Sequence, residues 1–493
     1  MKKQSVALIS LFLLFPAMLF SQTFRFEQQH SAIYNTILNL ELREATQQIE
    51  TLKIQESDNC ALLLLENYID FLTLFISEEK TLFDQLQSNK NTRIKSFEKL
   101  SDENPYKLWA IATTNLQWAF VRLKFDEKYT ATFEIRKAHL LLNENQNRFP
   151  EFKTNLLAAG FLHALFGAVP ARYQIIMKLA SLNGSIEKGR SELYELLYLT
   201  TADASLSHLR KETLFYLSFI EMNLNANKQF SENLLQQFSD NDLSSPLMIY
   251  AKATLEMRLG KNNKALETLS FETTATSYPF CFLDYLRGEC LLRKLDFDAQ
   301  KSYQKYISTF GGTNYITDAK RKIAWIYLLQ GDQETYLLLM TALKIDENRT
   351  IDIDKQAVKE ATSRKTPHLD LLKTQLLFDG GYYDEALQVI AHKTFDSEAH
   401  TLEQLYRMAR IFDEQKNHEQ ARIYYQKTIE KGKNANSYFA ANAALKIAEY
   451  YETTYNYSEA KTYYNLCLKM NPTEYRTSIH QKAKAGLSRL PKN

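Results

Sequence analysis

The sequence predicts an all-α fold whose C-terminal half is a solenoid of stacked helical hairpins. Chain breakers are scarce, with 13 glycines and 9 prolines in 493 residues, and runs of β-branched residues are few. That composition favours helices nearly everywhere. From about residue 246 a small residue recurs shortly after a turn signal: Ala265 in "LGKNNKAL", Ala299 in "KLDFDAQ", Ala386 in "GGYYDEAL", Ala421 in "QKNHEQAR" and Ala460 in "TYNYSEAK". The anchors are separated by 34 residues, then a longer stretch, then 35 and 39. Periods of that size mark helical hairpins, each of which buries its apolar face only against its neighbours.

In chain order, the first element is a targeting segment. Lys2 and Lys3 precede an apolar stretch from Val6 to Phe20, and Ser21-Gln22 offers a small-residue exit. This is the layout of a secretory signal peptide over residues 1–21, cleaved near Ser21 and too short for a stable membrane span. No cysteine lies near the cut, which argues against lipid attachment. The expected destination is the periplasm or cell envelope of a Gram-negative bacterium. The ending "FSQ" resembles that of exported proteins of the Bacteroidota.

Residues 22–245 read as a less regular helical region of degenerate repeats. Apolar residues fall at helical spacing in "AIYNTILNLELREATQQIETL", with Ala45 as a small anchor, and in "ALLLLENYIDFLTLFI" and "YKLWAIATTNLQWAFVRLKF". Leu156 to Val169 is almost wholly apolar but only 14 residues long, punctuated by Gly160, Gly167 and Pro170. A span needs about 18 or more apolar residues, so the expectation is a buried helix or a groove floor. Contact with a membrane surface through 156–169 is the alternative.

Residues 246–493 carry the repeats. In "LLFDGGYYDEALQVI", Gly381 falls where one helix ends and the chain reverses, a place for positive φ. Asp384 and Glu385 suit the electropositive start of the next helix, and Ala386 suits a helix crossing. The rival reading, a phosphate-binding loop, lacks the further glycines, the Lys-Ser/Thr pair and the preceding strand. An insertion around 341–366 lengthens one period by about a helix; Asp352 or Asp354 is a candidate cap for "KQAVKEAT", on the rim.

These residues resemble the tetratricopeptide repeat. Leu405, Ala409, Phe412, Ala421 and Tyr425 occupy its large, small, aromatic, small and aromatic positions. Ile447, Ala448, Tyr451, Tyr457, Ala460 and Tyr464 do so in the next unit, which ends at Pro472. Ile323, Ala324, Tyr327 and Gly331 fit an earlier unit, where Tyr336 replaces the small residue. The resemblance covers about half the chain and implies a binding scaffold whose first helices line a concave groove.

Chemistry-bearing motifs are thin. Without Lys2 and Lys3 the chain has 58 basic and 58 acidic side chains, which does not suit a nucleic-acid binder. Cys60, Cys281, Cys290 and Cys467 are too few and too dispersed for a disulfide framework, so four buried thiols are expected. No HExxH, CxxC or GxSxG occurs, and neither metal nor cofactor is expected. The close carboxylates Glu66 with Asp70, and Glu449 with Glu452, read as solvated stripes.

The register of the last units predicts a partner-binding surface of Tyr406, Arg410, Asp413 and Glu414 with Asn442, Leu445, Glu449 and Glu452. The set is mixed and somewhat acidic, and it lacks the Lys/Asn pattern that clamps a terminal carboxylate in some tetratricopeptide proteins. A protein or peptide with basic and apolar side chains is therefore the expected ligand. The functional expectation is a non-enzymatic scaffold or adaptor. The alternatives are an enzyme with a site around 149–189, where "NRFPEF" and "GAVPARY" gather proline, arginine and aromatics, and a peripheral membrane protein.

Overall fold

A computed structural model describes residues 22–491, apart from 170–176, 178–180, 225–226, 273, 275, 345–350 and 364. The signal expected at 1–21, and Pro170 and Arg172 of "GAVPARY", lie outside the described residues. Among the described residues the chain is helical, and its β-structure is an isolated bridge between Thr23 and Asn59.

Hairpin corners share one local design. At Leu40, Glu78, Asp126, Gly260, Gly331, Gly381, Lys416 and Tyr455 the backbone takes positive φ. In most of these the next amide closes back on a carbonyl in the last turn of the helix: Glu127 on Arg122, Lys261 on Glu256, Tyr382 on Leu377 and Asn417 on Phe412, at 2.8–2.9 Å. This is the Schellman ending, which satisfies carbonyls that the helix leaves unpaired. Five positions after the left-handed residue stands a side chain buried in the crossing: Ala45, Phe83, Ala131, Ala265, Tyr336, Ala386, Ala421 and Ala460, none more than 3% exposed. The corner at Leu295 is one residue tighter, with Ala299 four positions on. Alanine lets two helix axes approach, and an added methylene there would force strain of about 1–3 kcal/mol.

Two large cores meet on one helix. Pro246–Arg258 gives Leu247, Met248 and Leu255 to a core that extends back to Phe24, and Ile249, Ala253 and Met257 to a core that extends forward to Leu376. The boundary read at 245/246 thus falls at the start of a helix shared by both cores.

Within the first core, Asn155–Gly167 packs along Ile186–Ala202. The approach is close enough that a Cβ on Gly189 would lie 2.2 Å from the Gly160 carbonyl oxygen. Leu157, Phe161, Leu162 and Phe166 are buried there, so the apolar run serves the interior. Cys60–Ser77 is long and apolar enough to cross a membrane by length and composition, and most of it is buried.

The repeats are not stacked in simple succession. Phe282–Arg293 pairs with Ala299–Thr309, and Ile316–Leu329 pairs with Gln333–Leu343. Among the preceding helices, the next hairpin, Leu369–Gly380 with Tyr383–Ile390, docks chiefly against Phe282–Arg293. Its Tyr382 hydroxyl accepts from Asn262 Nδ2 at 3.0 Å and donates to Asn263 Oδ1 at 2.7 Å. The extra helix, Asp352–Ser363, makes this return possible. It covers Ile316–Leu329, and its Asp354 caps that helix: Oδ2 accepts from the Tyr315 amide at 2.8 Å and Oδ1 from the Asp318 amide at 2.9 Å. At its outer side Gln356 donates to the Tyr475 hydroxyl at 2.7 Å, and Lys359 pairs with Glu474. The last hairpins, Glu398–Glu414 with His418–Gly432 and Phe439–Thr453 with Tyr457–Lys469, stack in sequence and end in Arg476–Arg489.

Candidate functional site

The return of the Leu369–Ile390 hairpin frames an open, solvent-accessible cavity of about 500 Å³ between the shared central helix and the C-terminal repeats. Its aromatic wall comes from Tyr250, Phe282, Tyr285, Tyr315, Phe378 and Tyr383. Its charged groups are Lys228, Arg258, Glu289, Arg293, Asp379, Arg410 and Glu414. Four of these, Arg258, Arg293, Asp379 and Glu414, stand two positions before the left-handed residues at 260, 295, 381 and 416. The corner geometry therefore repeats one register position and points it into one space.

The charges inside are strongly coupled. Glu289 accepts from the Tyr303 hydroxyl at 2.6 Å and lies 3.4 Å from Lys322 and 3.7 Å from Arg293. Burial opposes its ionisation, but Lys322 and Arg293 outweigh it and hold the carboxyl below its usual range. Arg293 also donates to the Asp379 carbonyl at 3.4 Å. Burial opposes its charge as well, and the nearby Glu289 and Asp379 carboxyls raise its pKa regardless. Asp379 behaves differently: desolvation pushes its carboxyl up, against the pull of Arg293, Lys322, Arg407 and Arg410. Lys228 and Glu414 form an ion pair that joins the Lys228–Leu235 helix to the end of Glu398–Glu414.

The eight residues expected to form a binding surface are divided by the structure. Arg410 and Glu414 line the cavity. Tyr406 and Leu445 do not face a groove; they are 3% and 2% exposed, because their positions on the first helices point between neighbouring repeats. The Tyr406 ring stacks on Phe439, and its hydroxyl accepts from Asn442 Nδ2 at 2.5 Å. Asp413 accepts from the Tyr425 hydroxyl at 3.1 Å. Glu449 pairs with Lys446 at 2.9 Å, and Glu452 takes both Arg489, at 2.7 and 2.8 Å, and the Tyr464 hydroxyl. A second cavity beside Asp413, His418 and Tyr450 holds about 10 Å³, room for no more than a water. Sequence reasoning missed Arg258, Arg293, Phe282 and Phe378. The signal that could have found the two arginines was their fixed spacing before each corner; the two phenylalanines carry no such signal.

In the 149–189 region, His163 Nδ1 lies 2.6 Å from Glu192, and Lys188 Nζ lies 3.3 Å from His163 Nε2. His163 is buried on the Asn155–Gly167 helix, whereas Lys188 reaches solvent, so this cluster is a polar contact at the edge of two packed helices. Among the described residues no cluster of three or more His, Cys, Asp or Glu has a metal-binding arrangement. The four cysteines are free; Cys60, Cys290 and Cys467 are buried, whereas Cys281 is partly exposed, at odds with the expectation of four buried thiols.

The family model described as tetratricopeptide repeat matches residues 405–431, the corner between Glu398–Glu414 and His418–Gly432. Residues 405–431 therefore form a tetratricopeptide-type hairpin within an all-α fold of stacked helical hairpins. Among solved structures the chain is similar to the tetratricopeptide domain of P58(IPK), with 16% identity over 85% of this chain and 99% of that one, at a TM-score of 0.22. No curated protein matches it in sequence.

Proposed function

We propose that the protein is a non-enzymatic scaffold of the bacterial cell envelope that holds a segment of a partner protein in the cavity between its central helix and its C-terminal repeats. One observation carries this reading. A space of about 500 Å³ combines an aromatic wall with seven charged side chains on a tetratricopeptide framework. Concave sites with an apolar wall and a few placed charges are where ligands bind, and this framework repeats helices rather than assembling a nucleophile with a base. Export is supported by the basic, apolar and small-residue order of residues 1–21. A near-balanced charge supports a protein partner over nucleic acid.

A photo-crosslinking amino acid at Phe378, in the cavity, and at Lys301, whose side chain is 79% exposed on an outer helix, tests the site in cells. The expectation is a discrete adduct from position 378 and none from 301. Equal adducts from both, or none from 378, would remove the cavity as the binding site. Export is tested by fractionation and N-terminal sequencing, with a mature start near Gln22; an intact Met1 in the cytoplasm would end that part of the proposal.

A further inference from the structure

Two guanidiniums of the cavity make no ion pair among the described residues, although Arg258 feels the Glu221 carboxyl and Arg410 those of Glu414 and Asp379. Arg258 is exposed to the cavity and, among the described residues, makes neither ion pair nor hydrogen bond. Arg410 lies over Phe378, 4.7 Å from the ring centre, and its hydrogen bond is a long one, 3.5 Å to the Tyr406 hydroxyl. Three of the nearby carboxylates are engaged elsewhere, Glu289 by Tyr303, Lys322 and Arg293, Glu414 by Lys228 and Glu221 by Arg190, while Asp379 stands among Arg293, Lys322, Arg407 and Arg410. Counted together, Lys228, Arg258, Arg293 and Arg410 exceed Glu289, Asp379 and Glu414 by one positive charge. A guanidinium is a planar fork suited to two parallel bonds with a carboxylate, and desolvation inside a concave wall strengthens such a pair. The ring of Phe378 lies under Arg410, and those of Tyr250 and Phe282 line the same cavity, apolar surface against which a neighbouring aromatic group can pack.

We propose that the cavity recognises an acidic side chain adjoining an aromatic residue on an extended segment of a partner protein, with Arg258 and Arg410 as the carboxylate-binding groups. This deepens the scaffold reading and rests on it. It also reverses the sign of charge expected from the sequence. The acids that suggested a basic partner are occupied within the fold: Asp413 by Tyr425, Glu414 by Lys228, Glu449 by Lys446 and Glu452 by Arg489. In the cavity the cations outnumber the acids by one.

The test pans a random octapeptide display library against the purified protein and, in parallel, against the Arg258→Ala/Arg410→Ala double variant. The wild type is expected to enrich peptides in which Asp or Glu adjoins Phe, Tyr or Trp by roughly tenfold or more over the input, the size of effect that charge-assisted pairing gives. The double variant should lose that enrichment while keeping its helical circular dichroism. If it does not keep it, the Arg258→Lys/Arg410→Lys variant, which retains charge but not the planar fork, takes its place and should still lose most of the enrichment. Enrichment of Lys or Arg, equal enrichment on the variant, or no enriched sequence overturns the proposal. A cavity adduct from position 378 in cells, together with any of those results, would leave the scaffold reading standing and remove only its acidic ligand.

Discussion

Gly381 and Gly260 meet backbone to backbone: a Cβ on Gly381 would lie 2.0 Å from the Gly260 carbonyl oxygen. Both residues have positive φ, +83° and +72°. Each ends a helix, and the two corners nest where the Leu369–Ile390 hairpin returns to the central helix. That contact, with the hydrogen bonds of Tyr382 to Asn262 and Asn263, closes one side of the cavity.

Gly381→Ala should therefore cost more than Gly331→Ala. Gly331 also has positive φ, +89°, but nothing lies within 4 Å of an added Cβ, so alanine there meets only the conformational cost of about 1–2 kcal/mol. At Gly381 the same cost is joined by a collision with backbone, which has no rotamer to yield. The expected loss is roughly 1–3 kcal/mol beyond that of the Gly331 variant. Urea denaturation of the two variants checks this, and equal midpoints would contradict the nested corners.

Asp354 should protect a helix other than its own. Asp354→Ala removes two bonds to the buried start of Ile316–Leu329, a loss of about 1–3 kcal/mol. Hydrogen–deuterium exchange should speed up at Tyr315–Asp318 more than at the start of the Asp352–Ser363 helix. Faster exchange confined to 352–363 would show that Asp354 serves only its own helix.

The stability of the fold should weaken in mild acid through its buried histidines. Burial pushes His208 from 6.5 down to about 4; burial and then the neighbouring His163 do the same to His139. A folded pKa below the unfolded one means that the contribution is complete above about 6.5 and lost as pH falls through about 4. Carboxylates titrate in part of the same window, so the informative quantity is the difference from His208→Gln. From pH 7 to pH 4.5 the wild type should lose on the order of 1–3 kcal/mol relative to that variant, at about 1.4 kcal/mol per unit. A constant difference across the window would clear His208 of the effect.

The thiols should divide one against three. Burial pushes Cys60, Cys290 and Cys467 up to about 12, so little thiolate forms and reagents have no path to it. Cys281 is partly exposed, its sulfur 3.6 Å from the Thr309 carbonyl. A thiol-reactive dye at pH 8 should titrate one group in the native protein and four in denaturant. Fast labelling of a second native thiol would contradict the packing around the buried three.

The hairpin architecture was legible because corner and crossing are local events. Gly381 and Ala386 stand five residues apart, and that spacing alone specifies a Schellman turn followed by a close helix crossing. The N-terminal corners at Glu78 and Asp126 use the same geometry but hide it, since residues with side chains hold positive φ there and Phe83 replaces the small anchor. The inserted helix could be located from the lengthened period, but not its partner. Asp354 bonds across a gap that sequence spacing cannot measure, and the hairpin that follows skips back to Phe282–Arg293. The binding surface suffered for the same reason. Side chains such as Tyr406 and Glu452 share the helical register of groove residues, yet Asn442 and Arg489 from other helices claim them. Helices, corners and the small residues at their crossings are all set by interactions within a few residues, and so could be read along the chain. Which hairpin docks on which, and hence which charges are left unmatched in the cavity, was decided only in three dimensions, because packing between distant helices selects among registers that local chemistry leaves equivalent.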